Sequence, residues 1–178
     1  MKHTISVLVE NKFGVLARIS GLFSGRGFNI DSLTVGPTHD QTLSKMTVVT
    51  RGDDHVLEQI DKQLNKLINV LKVTDLTGSG FVARELMLIK VKTSAKTRGE
   101  IVQITDIFRG DVVHVEHQAM VIQVTGSGDK IDSFIKLMEP FGIIELARTG
   151  VAALARSMEA TDQLDVLPTS DGSDPDGN

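Results

Sequence analysis

The stretch ISVLVENKFGVLARISGLFSGRGFNIDSLTVG, residues 5–36, decides the fold. Its hydrophobic period changes twice. Ile5, Val7 and Val9 alternate, which is the period of a strand. Val15, Leu16, Ile19, Leu22 and Phe23 then fall at helical spacing and predict one buried helical face. Gly25 and Gly27 are placed to end that helix, since a positive φ costs glycine little. FNIDSLTVG alternates again. Its apolar parity moves from Phe28 and Ile30 to Leu33 and Val35, which predicts a bulge near Asp31 or Ser32.

Outward from this stretch the pattern completes itself and then repeats. SKMTVVT reads as a third strand. Asp53 is placed as an N-cap for a helix with Val56, Leu57, Ile60, Leu64 and Leu67 inward, and NVLKVTDL reads as a fourth strand. TGSGF, residues 77–81, reads as a linker. Beyond it, MLIKV is a strand, and Ile101, Ile104, Ile107 and Phe108 line a helix ended by Gly110. DVVHVEH and AMVIQVTG are two strands, Ile131, Phe134, Ile135 and Met138 line a helix stopped by Pro140, and GIIELA is the last strand. The order βαββαβ occurs twice, so the expected class is α+β, with two tandem ferredoxin-like domains at residues 1–76 and 82–156. Units this small leave a sheet face and edge strands that need cover, which predicts pairing within or between chains and a homodimer at least.

The 178 residues include no Cys, Trp or Tyr. That removes disulfides and thiolate chemistry, and it argues against a stacking platform for single-stranded nucleic acid. Residues 157–178 carry Glu159, Asp162, Asp165, Asp171, Asp174 and Asp176 with no Lys or Arg, and read as a disordered, solvated tail. Without those six acids, 17 of the 23 remain against 19 basic residues, a near-neutral body with no electrostatic case for nucleic acid. No apolar run approaches the roughly 18 residues of a membrane span, and MKHTISVLVEN lacks the pattern of a secretory signal. A cytoplasmic protein is the expectation.

No catalytic constellation stands out. His3, His39 and His55 are scattered, and they read as surface or strand-end residues. His114 and His117 are three apart on an expected strand and point to opposite faces. Asp53 and Asp54 suit capping better than acid–base work. Gly25-Arg26-Gly27 ends a helix instead of starting one, and Gly126-Ser127-Gly128 lacks the Lys-Ser/Thr of a phosphate loop. Attention returns to ENKFGVL, residues 10–16. A strand-to-helix turn offers free N–H groups that favour a carboxylate, Gly14 allows close approach, and Asn11 carries both a donor and an acceptor. The first helix is expected to return the chain beside its start, so that Asn11 and Asn29 share one polar pocket for a zwitterion. The competing reading makes Asn11 an N-cap, Asn29 a turn residue and Gly14 a tight-turn glycine.

VLVENKFGVLARISGLFSGRGFNIDSLTVGPT resembles the opening of the small, regulatory subunits of acetolactate synthase (acetohydroxyacid synthase). The resemblance continues through LSKMTVVTRGDD, EQIDKQLNKLINVLKVTDL, RELMLIKV, IFRGDVVHV and PFGIIELARTGVAALAR, roughly residues 2–156. It implies an ACT domain in the first half and no catalytic site on this chain. It implies a separate large catalytic subunit that holds thiamine diphosphate, Mg2+ and FAD and forms 2-acetolactate from pyruvate. The small subunit of that family activates it and confers feedback inhibition by a branched-chain amino acid, usually valine. Matched by motif, the effector site takes Asn11, Gly14, Val15 and Leu16 from one chain and Asn29 and Ile30 from the partner chain, across a homodimer formed through the ACT domain. Phe13 departs from the Pro or small residue common there. ELARTG, residues 145–150, is either part of a docking surface or a plain strand end. The alternative function is a free-standing amino-acid sensor acting on another enzyme or regulator; an enzyme in its own right has the least support.

Overall fold

A computed structural model of the chain describes residues 1–78 and 80–156. The acidic tail lies outside the described residues. The first unit runs β1 (Lys2–Glu10), α1 (Val15–Gly25), β2 (Ile30–Pro37), β3 (Leu43–Arg51), α2 (Asp54–Leu64) and β4 (Val70–Asp75). The second runs β5 (Phe81–Lys92), α3 (Arg98–Ile107), β6 (Asp111–Val115), β7 (Ala119–Gly126), α4 (Gly128–Met138), a 3-10 turn (Glu139–Phe141) and β8 (Ile143–Arg148), then adds β9 (Ala152–Ala155). The sheet orders β2-β3-β1-β4 and β6-β7-β5-β8 are the same antiparallel plan twice.

The alternation explains the cores. Ile5, Val7 and Val9 on β1, with Met46 and Val48 on β3, meet Val15, Ile19, Leu22 and Phe23 of α1 and Ile60 and Leu64 of α2. Met87, Ile89 and Val91 meet Ile101, Ile131, Phe134 and Met138 in the second unit. Each such buried side chain contributes about 1.5–3 kcal/mol relative to leaving it in water. The parity change in β2 is real: pairing with β3 slips between Ile30 and Ser32, leaving Asp31 as the extra residue.

Several expectations need correction. Leu16 is 43% exposed and Ile107 76% exposed, because each sits at the edge of its helix's apolar stripe. Gly25 belongs to α1; the positive φ falls on Gly27. After α3 the positive φ falls on Arg109, and Gly110 is needed for closeness, since a Cβ there would lie 2.8 Å from the Gln123 carbonyl. Leu67 packs on the core from beyond the end of α2. Phe81 opens β5 instead of closing the linker. His117 lies past the end of β6. His3 is a core residue, its Nε2 against the Gly52 carbonyl at 3.2 Å.

The feature missing from the sequence reading is β9. It pairs with the first four residues of β5, Phe81–Arg84, in a ribbon that leaves the second unit and lies on the first. Ala153 is buried there, its N–H 3.3 Å from Thr47 Oγ1. The back of the first sheet is buried accordingly at Thr4, Ser6, Leu8, Thr47 and Val49. The short, alanine-rich VAALA stretch has too little apolar contrast to announce a strand by periodicity.

Candidate functional site

β1 ends at Glu10, and the chain turns into α1 through Asn11–Gly14. The Asn11 N–H donates to the Thr42 carbonyl at 2.6 Å, and its Nδ2 donates to the Gln41 carbonyl at 2.9 Å. Both bonds pin the junction to the β2–β3 loop. Asn11 is therefore not the N-cap. That position belongs to Gly14, in the left-handed region at φ 83°, with no side chain to cap the helix and no acid in the first turn. Nothing lies within 4 Å of where a Gly14 Cβ would be. The Val15 N–H reaches only the Lys12 carbonyl at 3.4 Å. The start of α1 is thus an uncapped cluster of N–H donors facing open space, the arrangement that attracts an anion. Val15 is buried in the core beneath it, while Leu16 and Phe13 stay exposed, Phe13 completely. The Phe13 ring points into solvent.

Polar groups ring the junction. Glu10 bonds Lys12 Nζ at 2.9 Å and Asn69 Nδ2, and Asn69 Oδ1 accepts from Arg18 at 3.0 Å. The Lys12 hydrogen bond, followed by that from Asn69, holds the Glu10 carboxyl below its ordinary range.

Asn29 and Ile30 stand elsewhere. Asn29 Nδ2 donates to Asp31 Oδ1 at 2.6 Å, and its carbonyl accepts from Thr50 Oγ1 at 2.6 Å. Asp31 also takes the Arg51 Nε at 2.6 Å, which is the main cause of its lowered pKa. Ile30 pairs with Thr50, which pairs with His3, whereas Glu10 pairs with Leu43. The two ends of β1 are seven residues apart, roughly 24 Å of strand. The expectation of one intrachain pocket is wrong: α1 carries the chain the length of the sheet and delivers Asn29 to the far end. Asn11, Gly14, Val15 and Leu16 form one group, and Asn29 and Ile30 another.

Asn29 and Ile30 line a polar cleft of about 700 Å³ between the two units, which Arg148, Glu85, Asp132 and Gly150 line from the other side. Arg148 clasps Glu85 with two nitrogens and Asp132 with a third contact at 2.7 Å. Glu85 was legible as a polar residue at the inward parity of Met87, Ile89 and Val91; its partner was not. Among the described residues no three His, Asp or Glu gather as a metal cluster, and no helix is long and apolar enough to cross a membrane.

Comparison with known proteins matches both units. Residues 5–72 match a family model described as an AHAS small subunit-like ACT domain, and residues 84–157 one described as the small subunit of acetolactate synthase. A probable acetolactate synthase small subunit of Archaeoglobus fulgidus is 58% identical over 156 residues, covering 88% of this chain and 98% of that one. The chain belongs to the acetolactate synthase small-subunit family. A second member, the acetolactate synthase small subunit of Aquifex aeolicus, is 52% identical over 163 residues, 91% of this chain and 85% of its own. The crystal structure of the Thermotoga maritima acetolactate synthase small subunit superposes with a TM-score of 0.81 at 41% identity, covering 88% and 98% of the two chains. In this small-subunit chain the junction at Asn11–Gly14 and the start of β2 both fall inside the ACT-domain match.

Proposed function

We propose that the chain is the non-catalytic regulatory subunit of acetolactate synthase. It raises the activity of a large subunit that carries thiamine diphosphate, Mg2+ and FAD and converts pyruvate to 2-acetolactate, and it confers inhibition by valine. The observation that carries the reading is the uncapped, glycine-floored start of α1 inside an ACT domain of this family. An amino-acid carboxylate fits the free N–H groups, and the Asn11 side chain stands beside them. Asn29 and Ile30 complete the site only from a second chain, because they lie at the opposite end of their own sheet. A two-fold pairing of ACT domains in opposite orientation brings one chain's Asn11 end to the other's Asn29 end. Such a homodimer also covers the exposed Leu16 and Phe13. We place the subunit in the cytoplasm with its enzyme.

The test is reconstitution. The purified chain is mixed with the acetolactate synthase large subunit, and acetolactate formation is measured with and without valine. The expected result is a faster rate that valine lowers. No change in rate points to a free-standing sensor, and turnover by the chain alone to an enzyme.

A further inference from the structure

We propose that the turn Thr149–Gly150–Val151, between β8 and β9, is the joint through which the second unit responds to what is bound at Asn29 and Ile30. The inference rests on the effector site proposed above and names the route out of it.

β2 carries the half-site at its first residues and the joint immediately after. Ser32 and Thr34 point to the back of the first sheet, the side that takes the second unit. Ser32 Oγ accepts the Val151 N–H at 2.9 Å. Thr34 Oγ1 donates to the Thr149 carbonyl at 3.3 Å. Between those bonds Gly150 lies flat on the strand: a Cβ there would stand 2.7 Å from Ser32 Oγ, 2.9 Å from Thr34 Oγ1 and 3.3 Å from the Leu33 carbonyl. Its φ of 83° is also one that L side chains rarely adopt. Two independent constraints therefore demand glycine at this one position, although the residue is far from α1.

On the other side the turn is fixed to the second unit. The Thr149 N–H donates to the Leu86 carbonyl, and the Leu86 N–H donates to Thr149 Oγ1 at 3.1 Å. Arg148, one residue earlier, is clamped to Glu85 and Asp132. The turn thus moves with β5 and α4. On the first side, only the bulged Asp31, which Asn29 and Arg51 hold, separates the half-site from Ser32, so a change at Asn29 is passed directly to the bulge. The polar interdomain cleft opens beside it and leaves room for a change of angle. A ligand that engages Asn29 and Ile30 competes with Asp31 for the Asn29 amide, shifts the bulge and with it the Ser32 acceptor under Val151, and so changes the joint. That gives two arrangements with different effector affinity, which coupling between sites requires.

The experiment is amide hydrogen exchange of the full chain, with and without valine, followed by inhibition assays of the reconstituted holoenzyme. Valine is expected to slow exchange in residues 11–17 and, at a distance, at Val151 and Ala153. In Ser32→Ala, which removes the acceptor for Val151 without adding bulk, the slowing at 11–17 persists and that at 151–153 disappears. Valine affinity stays within about threefold of the parent, while the valine concentration for half-inhibition rises at least tenfold. Gly150→Ala, which forces the turn off β2, gives the same split more strongly; should it fail to fold, Ser32→Ala carries the test alone. Exchange at 151–153 that ignores valine while 11–17 responds overturns the joint and spares the effector site. Equal losses of affinity and inhibition in Ser32→Ala also overturn it. No response at 11–17 to valine, leucine or isoleucine overturns the effector site itself.

Discussion

The two strand-to-helix junctions occupy the same place in the two repeats and are finished with different residues. In each, the residue just past the central strand gives its N–H to a loop between two strands: Asn11 to the Thr42 carbonyl, Thr93 to the Gln118 carbonyl. In each, a side chain staples the helix start to that loop, Asn11 to Gln41 and Arg98 to Glu116 and His117. Neither helix receives a side-chain cap bond at its first N–H groups, but the approach to the second is braced. The Ser94 N–H donates to Thr97 Oγ1 at 3.0 Å, the Thr97 N–H to Ser94 Oγ at 3.3 Å, and Glu100 sits in the first turn of α3. The first junction has a glycine in place of a cap and no acid. Topology provides a helix N-terminus in both units; the second differs by the acid in its first turn and by the Ser94–Thr97 pair before it.

Gly14→Asp is the strongest way to break that contrast. It places a carboxylate where the effector's carboxylate is proposed to sit, on a backbone whose φ of 83° also strains any side chain. Valine affinity should fall at least a hundredfold by titration calorimetry, about 2.7 kcal/mol, with activation of the large subunit retained. The matching change at the closed junction, Thr97→Asp, should leave affinity within about twofold. Equal losses in both variants would mean that the open junction is not the site.

How much of this was legible follows from what periodicity can carry. Long alternations such as ISVLVE and helical stripes such as those of α2 and α4 announce themselves, and the bulge at Asp31 showed as a change of parity. Gly14 was legible as a turn glycine between strand and helix, and it has the positive φ that such a turn needs. Which residues meet across the fold was not legible. Asn11 and Asn29 lie 18 positions apart in sequence and at opposite ends of a sheet, and only the register of β1, β2 and β3 reveals it. β9 was missed because alanines carry little hydrophobic contrast, and with it the joint at Gly150, whose constraint comes from Ser32 and Thr34 more than 100 residues earlier.

The repeats also differ in the buried polar residue at the start of each central strand. His3 and Glu85 hold equivalent places, two residues before the first core aliphatic of β1 and β5. Glu85, 3% exposed, is tied to Arg148, whereas His3 makes one bond and leaves Nδ1 buried without a partner among the described residues. Glu85→Gln should cost about 2 kcal/mol by urea denaturation, less than a fully buried pair because Arg148 keeps Asp132 and some water. His3→Leu should stay within about 1 kcal/mol of the parent, since the Gly52 carbonyl still accepts from the Met1 amino group. A larger loss at His3 than at Glu85 would reverse the ranking.

The closed junction gives a smaller effect. Ser94→Ala removes the two bonds of the Ser94 hydroxyl, to Thr97 Oγ1 and from the Thr97 N–H, leaves the Ser94 N–H on Thr97 Oγ1, and should lower stability by about 1 kcal/mol, with valine affinity unchanged. A change in affinity would tie the second junction to the effector after all.

The smallest effect belongs to the open junction and to acid. Glu10 is held below its ordinary range by Lys12 first and Asn69 next. A carboxyl whose folded pKa is depressed binds fewer protons in the native state than in the unfolded chain. Its contribution is therefore complete above the ordinary glutamate range and disappears as pH falls through the depressed value. The Lys12 side chain is 65% exposed, so the contribution is modest and salt weakens it. Glu10→Gln keeps an acceptor for Lys12 and Asn69 but removes the charge. Its melting temperature should lie slightly below the parent's at neutral pH and converge with it as the pH is lowered past the carboxylate range. A difference that stays constant across that range would show that Glu10 acts through shape alone. The closed junction, whose Ser94 and Thr97 do not titrate in this range, should show no such convergence in Ser94→Ala, so the two junctions are separated by pH as well as by ligand.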